Sequence, residues 1–309
     1  MPKAFKNHRF EPLFIKQSKV RWHRCPHLCL FQNLIRASYH VLNETRGRPV
    51  CRPKSGRTHG CAQKFRTLLL GHDTGFPPVR FAAPLIPGRF LRREKRFLAE
   101  VELEDQSRVW AHVPNTGALT GCLVPGQEVL LTPESRPGRK TSYTWRFCKS
   151  GDLWVCVDTM VPNRLVAEAL AGPGLPGLPP VLRLRPEVTL LRGCRLDFVA
   201  DVGDRLAFLE VKSVTWVEDG IALFPDGITT RGRHHLQDLA GLLAHGHEAW
   251  QVYVVQRADA IRFRPAGAVD PRYALELARA ADRGVKILVL KENVNPPEIT
   301  LDQTLPYDL

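Results

Sequence analysis

A chain of 309 residues has room for about two domains of roughly 150 residues each, and its 44% hydrophobic and 24% charged content is that of an ordinary globular protein. The formal charge of +13 invites a nucleic-acid reading, but residues 1–78 hold 15 Lys and Arg against 3 Asp and Glu, leaving 29 against 28 for residues 79–309. The body of the chain is nearly neutral, so bulk charge carries no argument for DNA binding, and no apolar run approaches the roughly 18 residues of a membrane helix.

Residues 1–78 show no sustained period and mix Arg, His, Cys, Pro and Gly with few acids. Cys25, His27, Cys29, Cys51 and Cys61 invite a zinc reading, although their spacing is not that of paired knuckles. A disordered basic arm on phosphates is a second reading. The favoured third is a start-site artefact, a translated upstream stretch with the true start near Val79. With only short apolar pieces, such as Leu68–Leu70, the N-terminus lacks a signal-peptide core, and the expectation is a cytoplasmic protein. The later cysteines, Cys122, Cys148, Cys156 and Cys194, sit among apolar residues and read as reduced packing residues.

Residues 79–160 change texture. Arg89–Glu104 and Arg108–Val113 alternate polar and apolar side chains, and Glu128–Thr132, Thr141–Phe147 and Leu153–Val157 read as further short strands. Turn residues separate them, among them Pro114-Asn115-Thr116-Gly117 and Pro125-Gly126. Five or so antiparallel strands in so short a span predict a small OB-like β-barrel.

Residues 161–180 read as an amphipathic helix, Pro162–Ala171, followed by a linker. The linker, Gly172-Pro-Gly174-Leu-Pro-Gly177, matches a dinucleotide-binding pattern only formally, because it follows a helix and its prolines bar a helix start.

In residues 181–309 the pattern β-β-β-α-β-α-β emerges: Val181–Arg192, a hairpin, a helix Thr230–His245 stopped by Gly246, a strand Glu248–Gln256, a helix Tyr273–Arg283 stopped by Gly284, and a strand Val285–Leu290. The expected fold class is α/β (α+β), with a mixed sheet and helices on its faces. The hairpin carries Asp197 on one arm and, thirteen residues on, Glu210-Val-Lys212 on the other. A strand's period of two puts Glu210 and Lys212 on one face, with Asp197 able to sit beside them. Two carboxylates and an ammonium can hold Mg²⁺ or Mn²⁺ and orient a water for phosphodiester hydrolysis. Spacing alone leaves open a plain surface ion pair on a solvated strand.

Several motifs occur in a fixed order: Phe97-Leu-Ala-Glu-Val101, His112-Val-Pro-Asn115-Thr-Gly117-Ala-Leu-Thr-Gly121-Cys122, Val157-Asp-Thr159 and Asn163-Arg-Leu. Arg195-Leu-Asp197-Phe, Glu210-Val-Lys212-Ser-Val, Phe224-Pro225-Asp226-Gly-Ile-Thr-Thr230-Arg231-Gly232 and His235-Leu follow. From about residue 85 onward the chain thereby resembles the sugar fermentation stimulation protein A (SfsA) family, described as DNA/RNA nucleases.

The resemblance implies an N-terminal OB-like domain and a PD-(D/E)xK nuclease-like domain. It makes Asp197 and Glu210 metal ligands for Mg²⁺ or Mn²⁺, with Glu187 near a further acidic position, and Lys212 the partner of the attacking water. Arg195 and Arg231, with Asn115 and Thr116 of the barrel loop, would meet nucleic acid, as would Trp110; a helix-start surface residue (Arg231) and a half-buried barrel residue (Trp110) are the competing readings. Cys194 stands where a Ser is usual, and His234 where a Lys or Arg is usual. The expected partner is DNA or RNA and not a membrane, as a monomer or homodimer. The alternative function is a non-catalytic DNA-binding regulator of sugar fermentation genes. That reading calls for a recognition helix rich in basic residues, and residues 233–247 offer only Arg233 and histidines.

Overall fold

The computed structural model describes residues 75–309 apart from 82, 136–137 and 192–193. The zinc, basic-arm and start-site readings of the N-terminal segment therefore lie outside the described residues, except for 75–78.

The barrel is built from β2 (Ile86–Glu94), β3 (Leu98–Leu103), β4 (Arg108–His112), β5 (Glu128–Pro133) and β6 (Tyr143–Ser150), after a short β1 (Val79–Arg80). The strands run in the order β4-β3-β2-β5-β6, and a parallel pairing of Ala111 with Tyr143 and His112 with Thr144 closes the ring. β7 (Leu153–Cys156) extends β6 outward. Closure leaves few bare edges and fills the interior with Phe90, Ala99, Val101, Ala111, Leu131 and Trp145. Phe90 and Trp145 stack at 5.2 Å. Cys122, Cys148 and Cys156 are free thiols and fully buried, as packing residues.

β1 lies outside the barrel. It pairs with Ile299 and Glu298 of β16 (Glu298–Thr304) at the edge of the larger sheet, so the chain visits the second domain before it enters the first.

Helix α1 (Met160–Ala171) leads from the barrel to the second sheet. That sheet contains β8 (Arg183–Leu191), β9 (Cys194–Val202), β10 (Arg205–Val214), β13 (Glu248–Val255) and β15 (Lys286–Asn295), ordered β1-β16-β15-β13-β10-β9-β8. β10, β13 and β15 are mutually parallel, and the outer pairs are antiparallel. Every residue of β13 is buried, as expected of a central parallel strand covered on both faces. On one face, Leu165, Val166 and Ala169 of α1 pack on Phe198, Leu209, Val211 and Val252. The opposite face, carrying Glu210, Gln251 and Tyr253, meets α2 (Thr230–Leu242) and α3 (Pro271–Asp282). Gly246 and Gly284 stop the helical segments at φ 74° and 106°, conformations open to glycine.

The mixed-sheet domain agrees with the expected class. One element went unread: a three-stranded sheet of β11 (Trp216–Glu218), β12 (Ile221–Phe224) and β14 (Arg262–Pro265). Its strands are of three and four residues, too short to establish a period. β12 ends in the Phe224–Pro225 peptide, which is cis, and the turn that follows leads to the site.

Candidate metal and nucleic-acid site

Leu209 pairs with Phe198 in the antiparallel ladder of β9 and β10, which places Asp197 beside Glu210 at the next step. There the ladder gives way to a side chain. Asp197 Oδ2 accepts the backbone N–H of Val211 at 2.7 Å, and Oδ1 accepts from Asn163 Nδ2 of α1 at 3.0 Å. These bonds fix the carboxylate plane while leaving each oxygen a second lone pair. Burial and the neighbouring Glu210 push the Asp197 carboxyl above its ordinary range, against the opposing pull of the Val211 N–H, Lys212 and Asn163.

Glu210 is held from one side. Its Oε1 receives Lys212 Nζ at 2.6 Å and the Nδ1–H of His235. Arg231 Nε donates to His235 Nε2 at 3.2 Å. Arginine only donates, so Nε2 is the bare nitrogen and Nδ1 carries the proton that Glu210 accepts. The other oxygen, Oε2, is buried and has no protein partner. Burial raises the carboxyl, but His235 and Lys212 outweigh it and hold Glu210 below its ordinary range. An ionised, buried carboxylate oxygen without a donor is costly unless a cation completes it. The residues present therefore fit a hard divalent ion, with Glu210 Oε2 and Asp197 as its protein oxygens.

The structure brings Asp197, Glu210 and Lys212 together. Glu187 lies across β8 and β9 from Asp197, between the pairs Pro186–Phe198 and Val188–Leu196. Its backbone is left-handed at φ 56°, and its half-exposed carboxylate pairs with Arg195 at 2.8 Å. Glu187 lines the same cavity as Asp197 and Glu210, while among the described residues no group of three or more His, Cys, Asp or Glu is gathered to hold a metal. Arg195 and Arg231 are exposed and line the same cavity of about 620 Å³ as Asp197, Glu210 and Lys212.

Over this cavity lies the barrel loop. Asn115 is buried, its Oδ1 accepting from Gly117 N at 2.8 Å and its carbonyl from Arg93 at 2.6 Å, so its side chain is a brace inside the loop. Thr116 is exposed and lines the cavity. Trp110 is half-buried beneath Arg92, whose guanidinium sits 5.2 Å from the ring centre.

Sequence reading gave no role to His235, Asn163, Asp226 or Arg93. His235 had a signal, for it stands four residues after Arg231 on one helix and on the same face. Asp226 and Arg93 act across the chain, Asp226 accepting from Leu119 N at 2.9 Å and Arg93 donating to Gly117 O at 2.8 Å. No local spacing announces such contacts.

A closed five-stranded barrel joined to a mixed sheet, with paired carboxylates and a lysine lining one cavity, defines an OB-barrel protein fused to a mixed-sheet domain. Comparison with known proteins places it further. Residues 91–157 match the SfsA N-terminal OB domain and residues 160–298 the sugar fermentation stimulation protein RE domain. The chain belongs to the sugar fermentation stimulation protein (SfsA) family. A sugar fermentation stimulation protein homolog from a Geobacter species is 40% identical over 228 residues, covering 74% of this chain and 99% of the relative. That of Geotalea uraniireducens is 42% identical over 223 residues, covering 72% and 96%. Among solved structures, Pyrococcus furiosus SfsA in complex with Ca²⁺ aligns with a TM-score of 0.68 at 26% identity, covering 75% of this chain and 98% of that one. No helix among the described residues is long and apolar enough to cross a membrane.

Proposed function

We propose that this chain is a divalent-cation-dependent nuclease that hydrolyses phosphodiester bonds in DNA or RNA. The observation that carries the reading is the buried, unpartnered Oε2 of Glu210 beside Asp197, with Lys212 on the same face of β10. Two carboxylates suit Mg²⁺ or Mn²⁺, which take one or two protein carboxylates and keep sites for water and substrate phosphate. That the Pyrococcus furiosus relative is in complex with Ca²⁺ supports a divalent ion as the cofactor.

When bound, such an ion polarises a phosphoryl oxygen and lowers the pKa of a coordinated water. The chain's own residues do the rest. Val211 N–H and Asn163 hold the Asp197 carboxylate in plane, while His235 and Lys212 fix Glu210 Oε1 and leave Oε2 for the ion. Lys212 keeps an ammonium beside the attacking oxygen, favouring hydroxide over water electrostatically. Arg195 and Arg231 supply guanidinium donors for phosphate oxygens on the cavity wall.

The non-catalytic regulator would need α2 to read a groove. On α2, Arg233 is bound to Asp270 at 2.8 Å, and His235, Leu236 and Leu239 are buried, so the helix is engaged with the protein itself. The test is cleavage of labelled DNA and RNA in Mn²⁺ by the parent, Asp197→Asn, Glu210→Gln and Lys212→Ala. The expected result is no detectable cutting by the carboxylate variants and a loss on the order of 10²–10³ for Lys212→Ala. Undiminished cutting by both carboxylate variants, with melting unchanged, would remove these residues from the chemistry.

A further inference from the structure

The cavity over the two carboxylates has a roof and an apolar wall, and both bear on what can enter. The roof is barrel loop 115–119. It is fastened to the turn after β12 by Leu119 N–H on Asp226 Oδ2 at 2.9 Å, and Arg93 donates to the carbonyls of Asn115 and Gly117. The approach is close: a Cβ at Gly117 would stand 2.6 Å from Asp226 Oδ2. Beneath it, the Glu210 side chain is only 4% exposed. A scissile phosphate has to come inside to reach it.

At about 620 Å³, the cavity has the size of a small-molecule pocket, typically about 300–1,000 Å³. A duplex holds its bases in a rigid stack, and extruding one costs its stacking and pairing, whereas a single strand bends and unstacks freely. The wall matches such a strand. Trp216 and Leu223 are cross-strand partners of β11 and β12, hence on one face of that ribbon, and both line the cavity. The indole is partly exposed, with its N–H on Glu218 at 2.9 Å. The same lining also carries Arg96, Arg195 and Arg231. An aromatic platform beside a cationic track is how proteins take single-stranded nucleic acid.

We propose that the cleft is selective for single-stranded nucleic acid, one or two nucleotides entering under the roof with a base against Trp216, and that intact duplex is excluded. Its consequence for cleavage rests on the nuclease reading, but the selectivity is a property of the cleft alone.

The experiment measures fluorescence anisotropy of short labelled single strands of DNA and RNA, and of the matching blunt duplexes. Binding is read in Ca²⁺ at fixed salt with the parent, Trp216→Ala and Trp216→Phe, alongside cleavage in Mn²⁺. Single strands are expected to bind at least about tenfold tighter than duplexes, with Trp216→Ala losing about tenfold and Trp216→Phe regaining most of it. If Trp216→Ala melts early, the Phe variant and the strand comparison decide. Strand-selective, Trp216-dependent binding without cleavage in any metal would uphold the cleft assignment and sink the nuclease reading. Duplex bound or cut as well as single strand, or binding indifferent to Trp216, would overturn the assignment and leave the nuclease reading standing.

Discussion

Asp197 and Glu210 face each other across β9 and β10, yet their carboxyl groups are held in opposite ways. Asp197 takes neutral N–H donors and sits above its ordinary range, while Glu210 takes an ammonium and a histidine and sits below it. The Nδ1–H of His235 positions the Glu210 carboxylate without touching the ion. His235→Ala is therefore expected to weaken Ca²⁺ binding by about 10–100-fold in calorimetric titration. Asn presents an N–H close to where Nδ1–H stands, so His235→Asn should recover part of the loss; equal affinity in all three proteins would show that His235 is only packing. A different carboxyl, Glu292 of β15, is fully buried with neither oxygen partnered, and burial pushes it well above the glutamate range. It lies near the Cys156 thiol, whose own upward shift comes first from burial and then from Glu292. Because the folded pKa is raised, stability is unaffected below the unfolded pKa. It falls as pH rises above that value, by about 1.4 kcal/mol per pH unit until the folded pKa is reached. Glu292→Gln should thus raise the melting temperature at pH 8 and do little at pH 4; a gain of equal size at both would refute the assignment.

Period-two and helical patterns made the long elements legible: β13, apolar but for Glu248 and Gln251, and α2, whose Leu236, Leu239 and Ala240 recur at helical spacing. The same pattern placed Glu210 and Lys212 on one face. It could not show the left-handed backbone at Glu187, because a positive φ in a non-glycine residue is set by tertiary context. Nor could it show β11, β12 and β14, whose pairing joins segments about forty residues apart. Asp270 shows how such contacts tie elements together. It caps α3 through Tyr273 N, accepts from Thr229 N at the start of α2, and binds Arg233, which together hold its carboxyl below the ordinary range against the penalty of burial. A depressed folded pKa gives stability that is present above the unfolded pKa and lost as pH falls through the folded one. Asp270→Ala should cost about 2–3 kcal/mol in urea unfolding at pH 7 and less in acid. A loss independent of pH would mean that packing, not the carboxylate, joins the two helices.

At the scale of the molecule, the two domains share one site. The larger sheet supplies the carboxylates, α1 carries Asn163 to Asp197, and the barrel supplies the roof. The sequence motifs marked both halves, but the contact between Leu119 and Asp226 joins positions 107 residues apart and only folding reveals it. Asp226→Ala should speed hydrogen exchange at the Leu119 amide by about tenfold, the loss of one charge-assisted bond, while amides of β13 stay unchanged. Unaltered exchange at Leu119 would mean that the roof is held elsewhere.

The proposed chemistry turns on one divalent ion held between two strands. Anomalous diffraction from crystals grown with Mn²⁺ tests it most directly. The account predicts a peak bonded to Glu210 Oε2 and an Asp197 oxygen, at about 2.0–2.2 Å as for a hard divalent ion on carboxylates. A peak elsewhere in the molecule, or Glu210 Oε2 found bound to a protein donor in its place, would contradict it.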